Sequence, residues 1–332
     1  MNDKKSILFL GGGELSLPAI DFARQIGFFI IVNDRRSDAP GKARADLSLT
    51  FDVTDARRIA AWILQNQKEF NIQYCHCGSD FGLLTAAVTM EALGLAHSPI
   101  RAVISILDKA LMKKQWENAI NCPASILTDD WREAERFAQK IGWPIIIKPT
   151  AASGSQGVGL AKSVNELEKT FNAAMIFSPE RQMIVEQFIR GRHHDVNGIF
   201  WRNVFYPAGI GDRFFTKLPY FVPHHGYFPS SISEEERQEL YALLEQGARL
   251  LGITHGPVKA DCVIANGRAY VYEIANRFHG DIFTIHTIGD INKTNPLRQL
   301  FQWIFNGAEK VNFQPIVADG VGGWKTIFND SE

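Results

Sequence analysis

Three groups of residues in the 332-residue chain have types and spacing suited to chemistry. The first is Lys148, which ends the β-branched run Ile145 to Ile147 and precedes a loop of small residues, Ala151 to Gly159. The loop contains Ser153, Gly154, Ser155 and Gly157, but no Gly-Lys-Ser/Thr follows the glycines, so it is not a Walker A loop. A strand lysine aimed past a Gly/Ser flap suits a triphosphate. The ammonium supplies a point charge, and the flap supplies N–H and hydroxyl donors. A Gly/Ser surface hairpin is the alternative. The second group is Asp261 and Glu273, which flank the hairpin signal Asn266-Gly267. A hairpin there sets both carboxylates on one face of adjacent strands. Two unpaired carboxylates held together repel, and Mg²⁺ relieves the repulsion while bridging protein carboxylates to phosphates. An exposed hairpin with scattered charges is the alternative, but the strand around Glu273 is strongly apolar. The third is Arg277, whose guanidinium suits bidentate binding of a carboxylate or a phosphoryl group.

These residues need elements to position them. In the first third of the chain, apolar runs at Ile7 to Leu10, Phe28 to Val32, Leu47 to Phe51 and Ile72 to Cys77 alternate with helical patterns. One helix is closed by Gly27, one is capped by Thr54, and one spans Phe81 to Leu93. Such alternation predicts a parallel sheet covered by helices on both faces. The turn Gly11-Gly12-Gly13-Glu14 lies between the first strand and its helix. Its backbone N–H groups could meet an anion, and Asp34 after the second strand could mimic a ribose-binding acid. A dinucleotide fingerprint is incomplete, because its third glycine falls on Ser16; glycines serving a tight turn are the competing reading. From about Ser105 the texture becomes α+β. Helices are predicted over Asp108 to Ala119, Asp130 to Ile141, Asn165 to Ala174 and Glu234 to Leu251, with strands between them. The segment from Arg213 to Tyr227 is rich in aromatics, histidine and cations. It is expected either to shape a substrate pocket, with Lys217 or His224 inside it, or to pack as an aromatic loop. His279 and His286 either flank the same mouth or serve a structural role.

Composition excludes several classes. Lys plus Arg is 35 against 36 for Asp plus Glu, a net charge of -1, so no long-range field draws the protein to nucleic acid or an acidic membrane. Hydrophobic residues make up 45%, which argues against disorder. Four cysteines are too few for a disulfide framework in a chain of this size, and Cys75 and Cys77 are expected as buried, reduced thiols. No apolar stretch approaches a membrane span, and the start of the chain leads into an apolar run too short for a signal peptide. A cytoplasmic protein is expected.

Taken in order, these pieces resemble the ATP-grasp superfamily of carboxylate–amine ligases. Asp108-Lys109 resembles the first lysine motif, Ile147-Lys148 the strand lysine, and Ser153 to Gly159 the phosphate flap. Val185-Glu186-Gln187-Phe188-Ile189 resembles the adenine-binding hinge. Asp261, Glu273 and Arg277 resemble the metal and acyl-phosphate end. The stretch Leu10 to Glu14 with Asn33-Asp34-Arg35 is similar to the pre-ATP-grasp domain of ATP-dependent glycinamide ribonucleotide transformylases. Carbamoyl-phosphate synthase halves and amino-acid ligases are similar too. The resemblance implies an α/β fold: a Rossmann-like parallel-sheet domain (1–105), then a two-lobed α+β ATP-grasp unit (106–185 and 186–310) and a tail (311–332). It implies ATP as the nucleotide and Mg²⁺, with Mn²⁺ as a substitute, as the metal. Lys109 and Lys148 would bind phosphates, with Gly154, Ser155 and Gly157 closing over them. Glu186 and the backbone of Gln187 to Ile189 would read adenine, and His193 would take the ribose position. Asp261 and Glu273 would ligate the metal, and Lys148 and Arg277 would be catalytic. Glu14, Lys217, His224 and Arg277 would meet substrate. Expected partners are a small carboxylate and an amine, without nucleic acid or membrane, and a homodimer is compatible. One departure stands out: the family's Glu-x-Asn-x-Arg is here Glu273-Ile-Ala275-Asn-Arg277, so the usual asparagine ligand is Ala275. Bicarbonate phosphorylation, nucleotide binding without turnover, and NAD-dependent oxidoreduction through the first glycine turn are the other activities considered.

Overall fold

The first 100 residues build the expected parallel sheet. In the computed structural model, which describes residues 4–151, 156–216, 222–280, 294–314 and 319–327, the strands are β1 (Lys5–Leu10), β2 (Phe29–Asn33), β3 (Leu47–Leu49) and β4 (Asn71–His76). All pair in parallel, in the order β3-β2-β1-β4. Ile7, Phe9, Ile30 and Val32 point into one core, and Leu8, Leu10 and Ile31 into another. Burial on both faces is what a parallel sheet between helix layers requires. The helices are α1 (Leu17–Ile26), α2 (Ala56–Asn66), α3 (Leu83–Ala92) and α4 (Ile100–Leu107). Gly27 closes α1 with a φ of 110°, the left-handed C-cap that glycine supplies. The cap of α2 is Asp55, which accepts from the Arg58 N–H; Thr54, the expected cap, bonds Asp52 instead. The glycine turn is tied inward. Gly12 N–H donates to Asp34 at 2.9 Å, and a Cβ at Gly12 would lie 2.8 Å from Val32. Asp34 therefore serves the turn, as the tight-turn reading has it.

The next stretch contains α5 (Lys109–Trp116), β5 (Ser125–Thr128), α6 (Trp131–Ile141), β6 (Ile145–Pro149), β7 (Gly159–Ala161), α7 (Val164–Met175) and β8 (Met183–Gln187). Asp108 caps α5 by accepting from the Ala110 and Leu111 N–H groups. The strands form an antiparallel sheet, β5-β8-β6-β7. Period-two alternation splits β6 cleanly. Ile145 and Ile147 pack against α6 and α7, whereas Ile146 and Lys148 face a cavity.

The remaining elements are β9 (Arg192–Trp201), β10 (Val204–Phe215), β11 (Pro223–Phe228), α8 (Glu234–Leu251), β12 (Gly256–Ala265), β13 (Arg268–Ala275), α9 (Pro296–Asn306) and β14 (Gly322–Lys325). Six strands form an antiparallel sheet, β13-β12-β9-β10-β11-β14. One face packs on α8 through Val196, Ala260, Cys262 and Ile274. α8 starts with a Ser233/Glu236 capping box. The opposite face carries the polar residues described below. α9 returns to the first sheet, where Leu297, Leu300 and Phe301 join Phe9, Ala19 and Ile20 in one core. It falls within the span 186–310 yet completes the core of the N-terminal unit. Residue 105, taken from sequence as a boundary, lies inside α4. All four cysteines are free thiols; Cys75, Cys77 and Cys262 are buried, and Cys122 is partly exposed. Among the described residues, no helix is long and apolar enough to cross a membrane.

Candidate active site

A cavity of about 370 Å³ lies between the inner face of the small antiparallel sheet and the polar face of the large one. Lys109 reaches it from the first turn of α5, Lys148 from β6, and Lys259, Asp261 and Glu273 from the β12/β13 hairpin. The hairpin delivers what its spacing predicts: Asp261 is the direct cross-strand partner of Glu273. Asp195 on β9 is the partner of Asp261 on its other side. Three carboxylates thus run in a row across three strands.

Cations compensate them. Lys259 Nζ is 2.8 Å from Asp261 Oδ2 and 3.7 Å from Glu273 Oε1, and Lys109 Nζ is 3.6 Å from Glu273 Oε2. Arg213 on β10 spans Asp195 at 2.7 Å and Asp261 at 3.3 Å. His279 Nε2 lies 2.7 Å from Asp261 and 3.2 Å from Asp195. Burial alone would raise the Asp261 carboxyl, but Lys259, Arg213 and His279 together hold it well below the usual range. Burial likewise opposes ionisation of Glu273, and Lys109 and Lys259 outweigh it, bringing that group down to about 2. Both are carboxylates at neutral pH. Asp195, Asp261 and His279 have donor atoms close enough for a metal, but Arg213 and Lys259 already neutralise the two acids. Glu273 is the acid of the hairpin pair with room for a further cation. Its ion pairs with Lys109 and Lys259, at 3.6 and 3.7 Å, lie beyond hydrogen-bond distance, whereas both Asp261 oxygens are engaged.

Glu186 behaves differently from the expectation that it reads adenine. It is 1% exposed, and its carboxylate is clamped between Lys148 at 2.6 Å and Lys113 at 2.9 Å. Burial would push its carboxyl up, and the two ammonium groups bring it below the ordinary value. Its contacts fix the Lys148 ammonium in place. The hinge backbone beyond it is partly committed: Gln187 N–H donates to Ala124, Phe188 N–H to Pro144, and the Ile189 carbonyl accepts from Tyr272. Phe188 and His193 line the cavity. His193 stacks on Tyr272 with ring centres 5.9 Å apart and an interplanar angle of 11°. Burial and the nearby Arg213 lower its pKa to about 4, so the ring is neutral.

Arg277 also lines the cavity, but its fork is occupied, donating to both oxygens of Asp80 at 2.7 and 2.8 Å. Asn276 faces away, donating to the His255 and Pro257 carbonyls. Gln156 and Val158 line the cavity beside Gly157. Gly157 has a φ of 71°, and a Cβ there would meet Phe177 and Pro149 within 3 Å. Glu14, in a single exposed turn of 3-10 helix after β1, does not line the cavity. His224 does not line it either: it lies against His225, and its neighbour Pro223 forms the wall. Ser153, Gly154, Ser155, Lys217 and His286 fall outside the described residues.

Sequence reasoning passed over Lys113, Asp195 and Asp80, named Arg213 only as the start of the aromatic, cation-rich segment, and gave Lys259 no role. Two had a usable signal. Lys113 is one helical turn beyond Lys109, and Lys259 is two residues before Asp261 and so on the same strand face. Asp195 and Asp80 depend on pairings between distant segments and have no local signature.

Comparisons with known proteins agree with this geometry. The profile of the carbamoyl-phosphate synthase L chain ATP-binding domain matches residues 107–197. A formate-dependent phosphoribosylglycinamide formyltransferase of Synechococcus sp. (strain CC9311) is 24% identical over 272 residues, covering 76% of this chain and 66% of that protein. Its counterpart in Prochlorococcus marinus (strain MIT 9301) is 28% identical over 192 residues, covering 56% of this chain and 48% of that one. The chain therefore spans about half to two thirds of these curated relatives. Among solved structures, phosphoribosylglycinamide synthetase from Anaerococcus prevotii superposes with a TM-score of 0.74 at 19% identity, over 92% of this chain and 76% of that one. L-amino acid ligase from Bacillus licheniformis superposes with a TM-score of 0.77 at 19% identity, over 92% and 75%. An ATP-binding-domain match over the lysine helix, strand lysine and hinge, together with a fold shared with these solved structures, makes the chain similar to ATP-grasp carboxylate–amine ligases.

Proposed function

We propose that the protein is an ATP- and Mg²⁺-dependent ligase that activates a small carboxylate as an acyl phosphate for attack by an amine. The observation that carries this reading is the convergence of Lys109 and Lys148 on a cavity whose far wall holds Glu273. A carboxylate is a poor electrophile because its charge is delocalised. Transfer of the ATP γ-phosphoryl group to one carboxylate oxygen releases ADP and leaves a good leaving group on the acyl carbon. The amine then adds at that carbon, loses a proton, and phosphate departs. The protein's part is positioning and charge neutralisation. Lys109 and Lys148 would hold the phosphates, with Lys148 steadied by Glu186. His193, Tyr272 and Phe188 would form the apolar and aromatic wall for the nucleoside. Arg277, held flat by Asp80, would face the reacting carboxylate. Glu273, with Asp261 beside it, fits a divalent cation, which would supply charge neutralisation to the phosphates.

Substrate-dependent release of ADP and phosphate, screened across amino acids and small carboxylates, tests the reading. Lys148→Ala and Glu273→Ala should each abolish release. Absence of ATP binding at millimolar concentration with Mg²⁺ present would refute it. Ala275 in place of a metal-ligating asparagine favours a second reading, nucleotide binding without turnover. Tight ATP binding with no ADP release across the panel would establish that reading instead.

A further inference from the structure

The cation between Asp261 and Glu273 is part of the protein. Lys259 is 3% exposed, and its ammonium contacts both acids, at 2.8 and 3.7 Å. Its position explains the missing ligand. Lys259 is the direct cross-strand partner of Ala275, the position where the family pattern has asparagine. Directly opposed side chains on one sheet face are immediate neighbours. A methyl at 275 leaves the lysine chain lateral room, and an asparagine would crowd it. The other oxygen of Asp261 accepts from Arg213 and faces His279, so this acid has no oxygen free of a hydrogen-bonding partner. Displacing the ammonium would leave a buried charge without its partners, which is strongly unfavourable.

We propose that Lys259 takes the place of one of two divalent cations, so that the nucleotide-bound protein holds a single metal ion, on Glu273. This rests on the ATP-dependent reading above. A fixed ammonium brings one charge where an ion would bring two, and it is present before nucleotide arrives.

The test counts ions, not turnover. The full chain is saturated with a non-hydrolysable ATP analogue, bound nucleotide is measured by equilibrium dialysis, and bound Mn²⁺ by loss of the free-ion EPR signal. One Mn²⁺ per bound nucleotide is expected for the natural sequence, and two for Lys259→Ala combined with Ala275→Asn. Two ions per nucleotide in the natural sequence would overturn the inference and leave the ligase reading standing. One ion in both proteins would remove the assignment to Lys259. Absence of bound nucleotide would overturn the ligase reading and this inference with it. The natural-sequence count needs no variant to fold.

Discussion

Glu186 carries more of the site than its place in the hinge suggests, because one buried carboxylate holds two buried ammonium groups. Removing a partner from a buried ion pair is far more damaging than its absence from the start, since the remaining charges keep their desolvation penalty. Glu186→Gln should therefore destabilise the fold by about 3–5 kcal/mol. Lys113→Met should cost less, because Glu186 keeps Lys148; urea unfolding of the two variants gives the order. His193 makes a separate, pH-dependent prediction. Its pKa falls from 6.5 to about 4 on folding, so between those values the unfolded chain binds the extra proton and stability drops as pH falls. The Glu273 contribution has the opposite origin but the same direction: it is present above 4.5 and is lost as pH falls towards about 2. The window from pH 6.5 to 5 thus isolates the histidine from that acid. His193→Phe should lose less stability across it than the natural sequence, by about 2 kcal/mol. Urea midpoints at pH 7 and pH 5 measure the difference. At this scale Lys148, Asp261 and Glu273 were legible, because each sits on a strand whose period decides its face. Arg213 and Asp80 were not, since what makes them part of the site is a partner tens of residues or more away.

Register decides which side chains share the site. The β12/β13 hairpin was readable because its turn is local: Asn266 and Gly267 both adopt positive φ, 51° and 72°, which suits a tight two-residue hairpin turn. The insertion of β9 between β10 and β12 had no such local mark, and with it Asp195 was missed. β9 must also approach β12 closely at its start. A Cβ on Gly191 would lie 2.2 Å from the Ile264 carbonyl oxygen, an atom of the neighbouring strand that cannot swing aside as a side chain does. Gly191→Ala should therefore force β9 away from β12 and move His193, two residues on. Overpacking of this kind destabilises by about 1–3 kcal/mol. The specific outcome is a lower urea midpoint together with weaker nucleotide binding; unchanged affinity would mean that the entry of β9 does not set the position of His193.

Over the whole molecule, a net charge of -1 coexists with a cavity rich in lysine and arginine because those cations are matched by carboxylates within it. A triphosphate would be met locally, without a basic surface. The two ends of the chain are joined in a way that local patterns do not reveal. α9 has apolar residues at helical spacing, Leu297, Leu300, Phe301 and Ile304, but nothing in them says which core they fill. They fill that of the N-terminal sheet. Phe301 is fully buried, with its ring edge-on to Phe9 at 6.2 Å, His76 at 5.3 Å and Tyr74 at 6.5 Å. It thereby contacts β1 and β4, the strands whose following loops carry Glu14 and Asp80. Phe301→Ala should remove about 3–5 kcal/mol, and the loss should be felt nearly 300 residues upstream. Amide hydrogen exchange reads this directly: the amides of β1 and β4 should lose protection together with those of α9. If α9 alone exchanged faster while β1 and β4 kept their protection, the helix would be an appendage to the N-terminal sheet. Joint loss would make α9 and the N-terminal sheet one cooperative unit, tied to the cavity through the Asp80–Arg277 pair.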